Sequence, residues 1–172
     1  MRDWYKSNGK TYQVGLLLFD RFSNHCLANT VEPLRAANSF AHRTLYRWRY
    51  LTLDGHGVAS SSGLVVEPDA ALRQELKGDI LFVLPSYGYR ALATPQCLAA
   101  LRAAAGRYAV VAGLDAGSWL LAQAGLLTGR AATIHWQELE RFAEEFPDID
   151  ARRERFVIDG DRITCGGAMA AF

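Results

Sequence analysis

Residues 108–136 read YAVVAGLDAGSWLLAQAGLLTGRAATIHW, and this stretch decides the predicted fold. Five apolar, partly β-branched residues at 108–112 predict a short buried strand. Glycines bound the segment 113–117 and predict a tight turn. Residues 118–124 then have the composition of a helix, which Gly125 closes. The order strand, sharp turn and helix predicts an elbow of the kind found at the edge of parallel sheets.

Asp115 lies at the apex of this predicted elbow. The free N–H groups at the start of the next helix favour an anion or a developing oxyanion beside them, which makes Asp115 a candidate functional residue. Asp is also a preferred N-cap, so the same residue is expected at this position if it only caps the helix at 117–124. These residues alone leave both interpretations open.

The elbow resembles that of the ThiJ/PfpI group in the class I glutamine amidotransferase-like superfamily. In that group an Ala-Gly-Leu-Cys-Thr-Gly-like turn is followed twenty residues later by a histidine, and Asp115 and His135 have this spacing. The segments AGLLTGR (124–130) and ATIHW (132–136) resemble the sensor half of AraC-type transcription regulators that carry such a domain. The resemblance covers residues 14–172. It implies an α/β flavodoxin-like three-layer sandwich, with a mostly parallel sheet between helices.

The resemblance fails at the nucleophile. The enzymes of the group have a cysteine where this chain has Asp115, and an acidic residue there is expected in the arginine-regulator-like branch of the sensors. A carboxylate is a poor nucleophile toward amides and aldehydes, whereas a thiolate forms readily at an elbow. The resemblance therefore implies a binding pocket without catalytic residues.

Composition and charge restrict the function further. With 172 residues, 50% of them hydrophobic, the chain suits one domain, which we expect to span residues 11–172 after a polar, disordered segment at 1–10. A net charge of +1 gives no overall attraction for nucleic acid or for an anionic membrane. In the regulators that the chain resembles, DNA is bound by C-terminal helix-turn-helix motifs, which these residues lack. We expect a cytoplasmic piece of a longer regulator, with no membrane-spanning segment.

Metals and cofactors are not expected from the sequence. The three cysteines are widely spaced and without CxxC pairing, which argues against a disulfide framework or a structural zinc site. We interpret Cys26 and Cys165 as buried small apolar residues. His56 lies in a Gly- and Ser-rich loop, without other residues at metal-ligand spacing.

Periodicity predicts the remaining elements. Strands are expected at 12–19, 46–53, 64–66 and 79–84, helices at 69–76, from 94 to 106 and before Pro147, and a hairpin at 155–165 with Asp-Gly at its turn. A further helix after Asn24 contains Pro33, so it either begins near that proline or is kinked there.

The candidate site follows from the strand ends. Ligands of open α/β sheets bind outside the carboxyl ends of the strands, so the segment after the 79–84 strand should face Asp115. The residues expected at this crevice are Ser86, Tyr87, Asp115, Ala116, Trp119, His135 and Trp136. The resemblance adds Asn29 and Glu32 from the first helix, although Glu32 is equally explained as a solvated carboxylate. His135 is either a ligand contact or an interior residue that braces the elbow.

Three functions are compatible with the sequence. The first is a homodimeric sensor whose crevice binds a small cation, an amino acid or a quaternary amine, because Asp115 can pair with an ammonium or guanidinium group and aromatic rings can offer a π face. The resembled regulators respond to metabolites such as arginine, glycine betaine or carnitine. The second is an amidase or isonitrile-hydratase-like enzyme that uses Asp115 with His135. The third is a domain that only dimerises.

Overall fold

The computed structural model describes residues 9–73 and 76–171. The strands are β1 Tyr12–Leu18, β2 Tyr46–Thr52, β3 Val58–Ala59, β4 Val65–Val66, β5 Ala70–Ala71, β6 Gly78–Leu84, β7 Tyr108–Leu114, β8 Ala131–Ala132, β9 Asp150–Ala151, β10 Phe156–Asp159 and β11 Arg162–Cys165. The α-helices are α1 Asn24–Ala41, α2 Pro95–Ala105, α3 Gly117–Gln123 and α4 Leu139–Glu145, and short 3-10 helices occupy Tyr89–Leu92 and Ala168–Ala171.

One sheet organises the described part of the chain. Its strand order is β10-β11-β7-β6-β1-β2-β5. All neighbours pair in parallel except β10 and β11, which form the predicted antiparallel hairpin. The strand β1 lies inside the sheet, between β6 and β2, as its continuous apolar run predicts. The carboxyl ends of β6, β7 and β11 consequently meet at one edge of the sheet.

The helices cover both faces of this sheet. Along β1, Leu16 and Leu18 pack with α1, whereas Leu17 packs on the opposite face, with α2 and α3. Leu101 of α2 and Leu120 of α3 are fully buried there. Successive side chains of a strand point to opposite faces, so a buried central strand needs a helical layer on each side. The predicted three-layer sandwich is confirmed.

The predicted helix at 69–76 is wrong. Ala70–Ala71 forms a short strand that pairs in parallel with β2, and the backbone N–H of Leu72 donates to the Thr52 carbonyl at 2.7 Å. Ala71 and Leu72 are both buried, so the apolar spacing that suggested a helix face reflects attachment to the sheet edge. Residues 74–75 lie outside the described residues.

Two further expectations concern the first half of the chain. The segment expected to be disordered, 1–10, lies mostly outside the described residues, but Lys10 forms an ion pair with Asp79. Helix α1 begins well before Pro33, because the Ser23 hydroxyl caps it by accepting from the Cys26 N–H at 3.2 Å. It then continues through the proline.

None of the described helices is long and apolar enough to span a bilayer.

Candidate functional site

The elbow between β7 and α3 holds Asp115 in an unusual backbone conformation. Its φ is 58°, in the left-handed region that Asp tolerates better than most residues. Glycines on either side permit the tight turn: a Cβ on Gly113 would lie 2.7 Å from the Ser118 nitrogen, and one on Gly117 would lie 2.4 Å from the Val83 carbonyl oxygen. The sequence folds this way locally because only glycine fits at both positions.

The Asp115 side chain does not cap the helix. Ala116 occupies the N-cap position of α3 and makes no capping bond through its side chain. The Asp115 carboxylate instead accepts a hydrogen bond from the Ser86 hydroxyl at 3.0 Å, and its backbone carbonyl accepts from the His135 N–H at 3.3 Å. The N-cap interpretation is therefore wrong, and the carboxylate is tied to the end of β6.

A third segment presses on Asp115 from the end of β11. Gly167 has a φ of 76°, and a Cβ there would lie 2.7 to 2.9 Å from three atoms of Asp115. The next residue, Ala168, also has a left-handed φ of 45°, and its carbonyl accepts from the Asn29 side-chain amide at 2.9 Å. The position of Asp115 is thus fixed by the segments that follow β6, β8 and β11, and α1 supports the last of these through Asn29.

Burial controls the electrostatics of this region. It raises the pKa of the Asp115 carboxyl above the ordinary value of 3.8, while the hydrogen bond from Ser86 and the charge of His135 act in the opposite direction. Burial likewise raises the pKa of the Cys26 and Cys165 thiols, which lie beside Asp115. The site thus contains a partly desolvated carboxylate, and such a group gains from a cationic partner.

Asp115 opens onto a cavity of about 350 Å³, which we call the Asp115 cavity. It is lined by Ser23, Ser61, Ser86, Tyr87, Gly88, Tyr89, Asp115, Ala116, His135, Gln137, Glu138 and Ala168. Glu138 supplies a second carboxylate, which accepts from the Tyr89 hydroxyl at 2.5 Å. Burial and this acidic partner raise the pKa of Tyr89 to about 12. The cavity thus has two acidic groups held by hydroxyl donors.

A second cavity, of about 490 Å³, lies on the other side of His135. We call it the Trp136 groove. It is lined by residues 133–136, Leu139, residues 153–155 and residues 166–170. His135 and Ala168 line both cavities, so they form part of the wall between them.

Several known proteins are similar to this chain in sequence or in fold. A search of protein-family models gave no match. The chain is 43% identical over 155 residues to the HTH-type transcriptional regulator CdhR of Pseudomonas aeruginosa. This match covers 90% of this chain and 46% of that protein. A crystal structure of a ThiJ/PfpI family protein from Pseudomonas syringae matches with a TM-score of 0.77 and 24% identity, covering 94% of this chain and 65% of that one. An AraC family transcriptional regulator from Pseudomonas putida matches with a TM-score of 0.73 and 26% identity, covering 93% and 86%.

This chain is homologous to about half of several HTH-type transcriptional regulators, and it has the fold of ThiJ/PfpI proteins. The ThiJ/PfpI-like domain described here spans about half the length of the curated relatives that it matches, between 44% and 49%. Those relatives are named as regulators of transcription and not as enzymes.

Within this ThiJ/PfpI-like domain, the structure brings five of the expected site residues together. Ser86, Tyr87, Asp115, Ala116 and His135 all line the Asp115 cavity. They come from the ends of β6 and β7 and from the segment after β8. The rule that ligands bind outside the carboxyl ends of parallel strands explains this grouping.

Neither expected tryptophan lies in the Asp115 cavity. Trp119 is only 5% exposed: it packs edge-on against Tyr89, and its ring N–H donates to Glu145 at 2.8 Å. Its expected role as a pocket residue is wrong, because α3 turns this side chain into the core. Trp136 is 74% exposed and lines only the groove that bears its name, although its ring lies 5.8 Å from that of His135.

The two residues that the resemblance added from α1 also lie outside the cavity lining. Glu32 is exposed and pairs with Arg35 at 2.6 Å, so its interpretation as a solvated carboxylate is correct. Asn29 contributes to the Asp115 cavity only indirectly, because its side-chain amide donates to the carbonyl of Ala168, which lines the cavity.

Several residues that line the Asp115 cavity were not predicted from the sequence. Tyr89 and Glu138 each lie two or three residues beyond a predicted site residue, and extending those segments by one turn would have included them. Ser23 and Ser61 come from separate loops that only the fold brings to the cavity. Within the described residues, no three His, Cys, Asp or Glu side chains converge as a metal site.

Proposed function

We propose that this domain is a non-catalytic sensor that binds a small, positively charged nitrogenous metabolite in the Asp115 cavity. An amino acid or a quaternary amine has the required chemistry. The observation that supports this most is the Asp115 carboxylate, partly desolvated, fixed by three segments and open to a cavity. Burial raises the pKa of this carboxyl because it penalises the charged form. A bound cation would offset that penalty and favour the ionised carboxylate.

The charges around the cavity support a cationic ligand. Asp115 and Glu138 both line it, whereas no lysine or arginine does so among the described residues. Tyr87 is 59% exposed at the cavity wall and offers a π face. The Arg21 guanidinium lies 5.7 Å from the centre of that ring, so a cationic ligand would use the face that Arg21 leaves free. Such contacts contribute on the order of 1 to 2 kcal/mol when desolvated.

Three observations favour binding over catalysis. Each of the three cysteines of the chain is buried, and burial raises the pKa of each thiol, so none is activated as a thiolate. Asp115 stands at the elbow in place of a thiol. The contact from His135 to Asp115 runs from backbone N–H to backbone carbonyl, so the two side chains are not hydrogen-bonded as an acid–base pair.

We infer that ligand binding is read out by a larger regulator. The relatives are HTH-type transcriptional regulators of about twice the length of this chain, and DNA binding would belong to parts outside these residues. In this proposal a bound effector changes the geometry of a homodimer, and the protein acts in the cytoplasm, where its operator lies. With a net charge of only +1, this domain has no overall attraction for DNA, which supports DNA binding by other parts of the regulator.

A thermal-shift screen tests the proposal. The chain is heated with a panel of amino acids and quaternary amines, beside Asp115→Asn, which suits the left-handed backbone better than alanine does. A ligand at one hundred times its dissociation constant adds about 2.7 kcal/mol, or roughly 5 to 10 °C for a domain of this size. The matched control is Glu32→Gln, which removes an exposed carboxylate outside the cavity.

We expect at least one compound to stabilise the wild type and Glu32→Gln but not Asp115→Asn. A compound that stabilises all three equally would show that the ligand binds elsewhere. Hydrolysis of an added amide, or hydration of an added isonitrile to a formamide, by the wild type would instead support the enzyme. A panel without any stabilising compound would favour the domain that only dimerises.

A further inference from the structure

Arg21, in the loop between β1 and α1, has a backbone conformation that a bulky residue rarely adopts. Its φ is 61°, in the left-handed region. The surrounding loop imposes this conformation, because the Arg21 N–H donates to the Ala59 carbonyl at 2.7 Å and the next side chain, Phe22, is fully buried. Glycine would adopt the same backbone without strain, so an arginine at this position points to a use for its side chain.

The Arg21 guanidinium lies beside two residues of the Asp115 cavity. Its Cζ is 5.7 Å from the centre of the Tyr87 ring, and its Nη1 is 4.0 Å from a Cβ built on Gly88. Tyr87 and Gly88 both line the cavity, as does Ser23, two residues after Arg21. Arg21 is exposed and does not belong to the lining, so its charge lies at the mouth of the cavity.

The Arg21 guanidinium forms no ion pair with the described residues. The carboxylate of the adjacent Asp20 accepts from the Ala59 N–H at 3.1 Å. Arg90 makes a useful contrast, because its guanidinium also lies over an aromatic ring but pairs with Glu145 at 2.8 Å. A guanidinium over a ring keeps donors in its own plane, and a carboxylate matches them with two parallel hydrogen bonds.

Positive and negative charges are therefore separated at this site. The carboxylates of Asp115 and Glu138 line the cavity, whereas the guanidinium of Arg21 lies at its mouth. A ligand with positive charge alone would be attracted by the lining and repelled by Arg21. A ligand with a cationic group at one end and a carboxylate at the other would match both, and repulsion of the wrong ligand is a source of specificity.

We propose that Arg21 binds the carboxylate of a zwitterionic ligand whose cationic group meets Asp115. Arg21 is then the residue that selects this ligand over the same cation without a carboxylate. The assignment rests on the proposed sensing function and narrows its ligand class to amino acids and betaines. Ser23 and Ser61 line the cavity beside the Arg21 loop, and their hydroxyls are available as further donors to the same carboxylate.

Calorimetric titration with matched pairs of compounds tests this assignment. The first pair is arginine and agmatine, which lacks only the carboxylate. The second is glycine betaine and choline, which has a hydroxymethyl group in its place. We expect at least one zwitterion to bind the wild type about tenfold more tightly than its partner compound, the effect of a charge-assisted pair of hydrogen bonds.

Arg21→Gln removes the charge and keeps a long polar side chain on the same backbone. It should weaken binding of the zwitterion by about the same tenfold factor and leave the cation without a carboxylate unaffected. The matched control is Arg35→Gln, because the Arg35 guanidinium is exposed on α1 and pairs with Glu32 away from the cavity. This control should bind both members of a pair as the wild type does.

Arg21→Gly separates a role in binding from a role in folding. Glycine suits the left-handed backbone, so the ligand-free variant should unfold at the same temperature as the wild type or above it. Its affinity for the zwitterion should nevertheless fall as in Arg21→Gln. A purely structural arginine would give the opposite result, a less stable domain in which both members of a pair bind more weakly.

Equal affinity of the wild type for both members of each pair that binds would overturn this assignment and leave the sensing proposal standing. So would an Arg21→Gln variant that retains the wild-type preference for the zwitterion, or a loss that Arg35→Gln reproduces. Asp115→Asn is expected to lose both members of a pair. Binding that survives Asp115→Asn, or no binding of any compound, would count against the sensing proposal itself, and the assignment of Arg21 would fall with it.

Discussion

The two cavities of this domain differ in how their walls are made. In the Asp115 cavity, the key side chain is partly buried, has a left-handed backbone and is held by Ser86 and Gly167. In the Trp136 groove, the prominent side chains are exposed and apolar. A fixed, desolvated charge suits recognition of a small ligand, whereas an exposed apolar surface offers such a ligand no charged anchor. His135 and Ala168 line both cavities.

Among the residues at the two cavities, Gly167 gives the largest expected effect when it is substituted. Gly167→Ala forces a side chain into the left-handed region and against Asp115, where its Cβ would lie 2.7 to 2.9 Å from three atoms. We expect a loss of about 3 kcal/mol in the free energy of unfolding, measured by urea denaturation. Ligand binding in the Asp115 cavity should also be lost.

The control is Gly129→Ala. Gly129 has a similar φ of 70°, but nothing lies within 4 Å of a Cβ built there. Gly129→Ala should lower the free energy of unfolding by only about 1 kcal/mol, because alanine is strained in the left-handed backbone conformation. Equal losses in the two variants would mean that the contact with Asp115 is unimportant.

The pH dependence of binding gives the next effect. A cationic ligand needs ionised Asp115, so its affinity is constant above the pKa of this group and falls as the pH drops through it. Each pH unit below the pKa costs about 1.4 kcal/mol. Because burial raises this pKa, the fall should begin at a higher pH than an ordinary carboxyl with a pKa of 3.8 would give.

Calorimetric titrations at a series of pH values measure this profile. The same burial destabilises the ligand-free fold once Asp115 ionises, so unliganded Asp115→Asn should be more stable than the wild type at neutral pH, with the difference disappearing in acid. A ligand whose affinity is independent of pH over the acid range would contradict the role of the carboxylate.

Removal of the Ser86 hydroxyl has a smaller effect. Ser86→Ala deletes the 3.0 Å hydrogen bond to Asp115, which lowers the pKa of that carboxyl. We expect a loss of about 1 kcal/mol in unfolding free energy at neutral pH and a further rise in the Asp115 pKa. Ser61→Ala changes a residue that lines the same cavity without bonding Asp115, so it should alter neither quantity. Carboxyl-detected NMR titration distinguishes the two variants.

Trp136 gives the smallest effect on folding. Because its side chain is 74% exposed, Trp136→Ala should change the unfolding free energy of the dilute monomer by no more than about 0.5 kcal/mol. Trp119→Ala is the contrasting variant, since this tryptophan is 5% exposed and should cost about 4 kcal/mol. A large loss at Trp136 would mean that its side chain supports the fold.

The sequence predicts the sheet better than it predicts the site. Continuous apolar runs identify β1, β6 and β7, because strands covered on both faces have little choice of residue. Glycine and aspartate at 113–117 identify the elbow. The helix predicted at 69–76 failed because a short edge strand leaves the same apolar spacing as one helix turn. Local pattern does not separate the two.

Side-chain direction explains the errors in the site. Trp119 and Trp136 are both aromatic residues close to the elbow in sequence, yet one faces the core and the other faces solvent. The contact of Gly167 with Asp115 joins residues that follow two different strands, β11 and β7, so the local sequence around either residue does not predict it. Such contacts depend on the packing of β11 against β7, which only the folded chain shows.

A crystal structure of this domain with the most stabilising compound from the thermal-shift panel tests the central claim most directly. We predict the positively charged group of that compound within about 4 Å of an Asp115 carboxylate oxygen, as in an ion pair. Glu138 and Tyr87 should border the same ligand. A compound bound in the Trp136 groove, with Asp115 still paired only to Ser86, would contradict the claim.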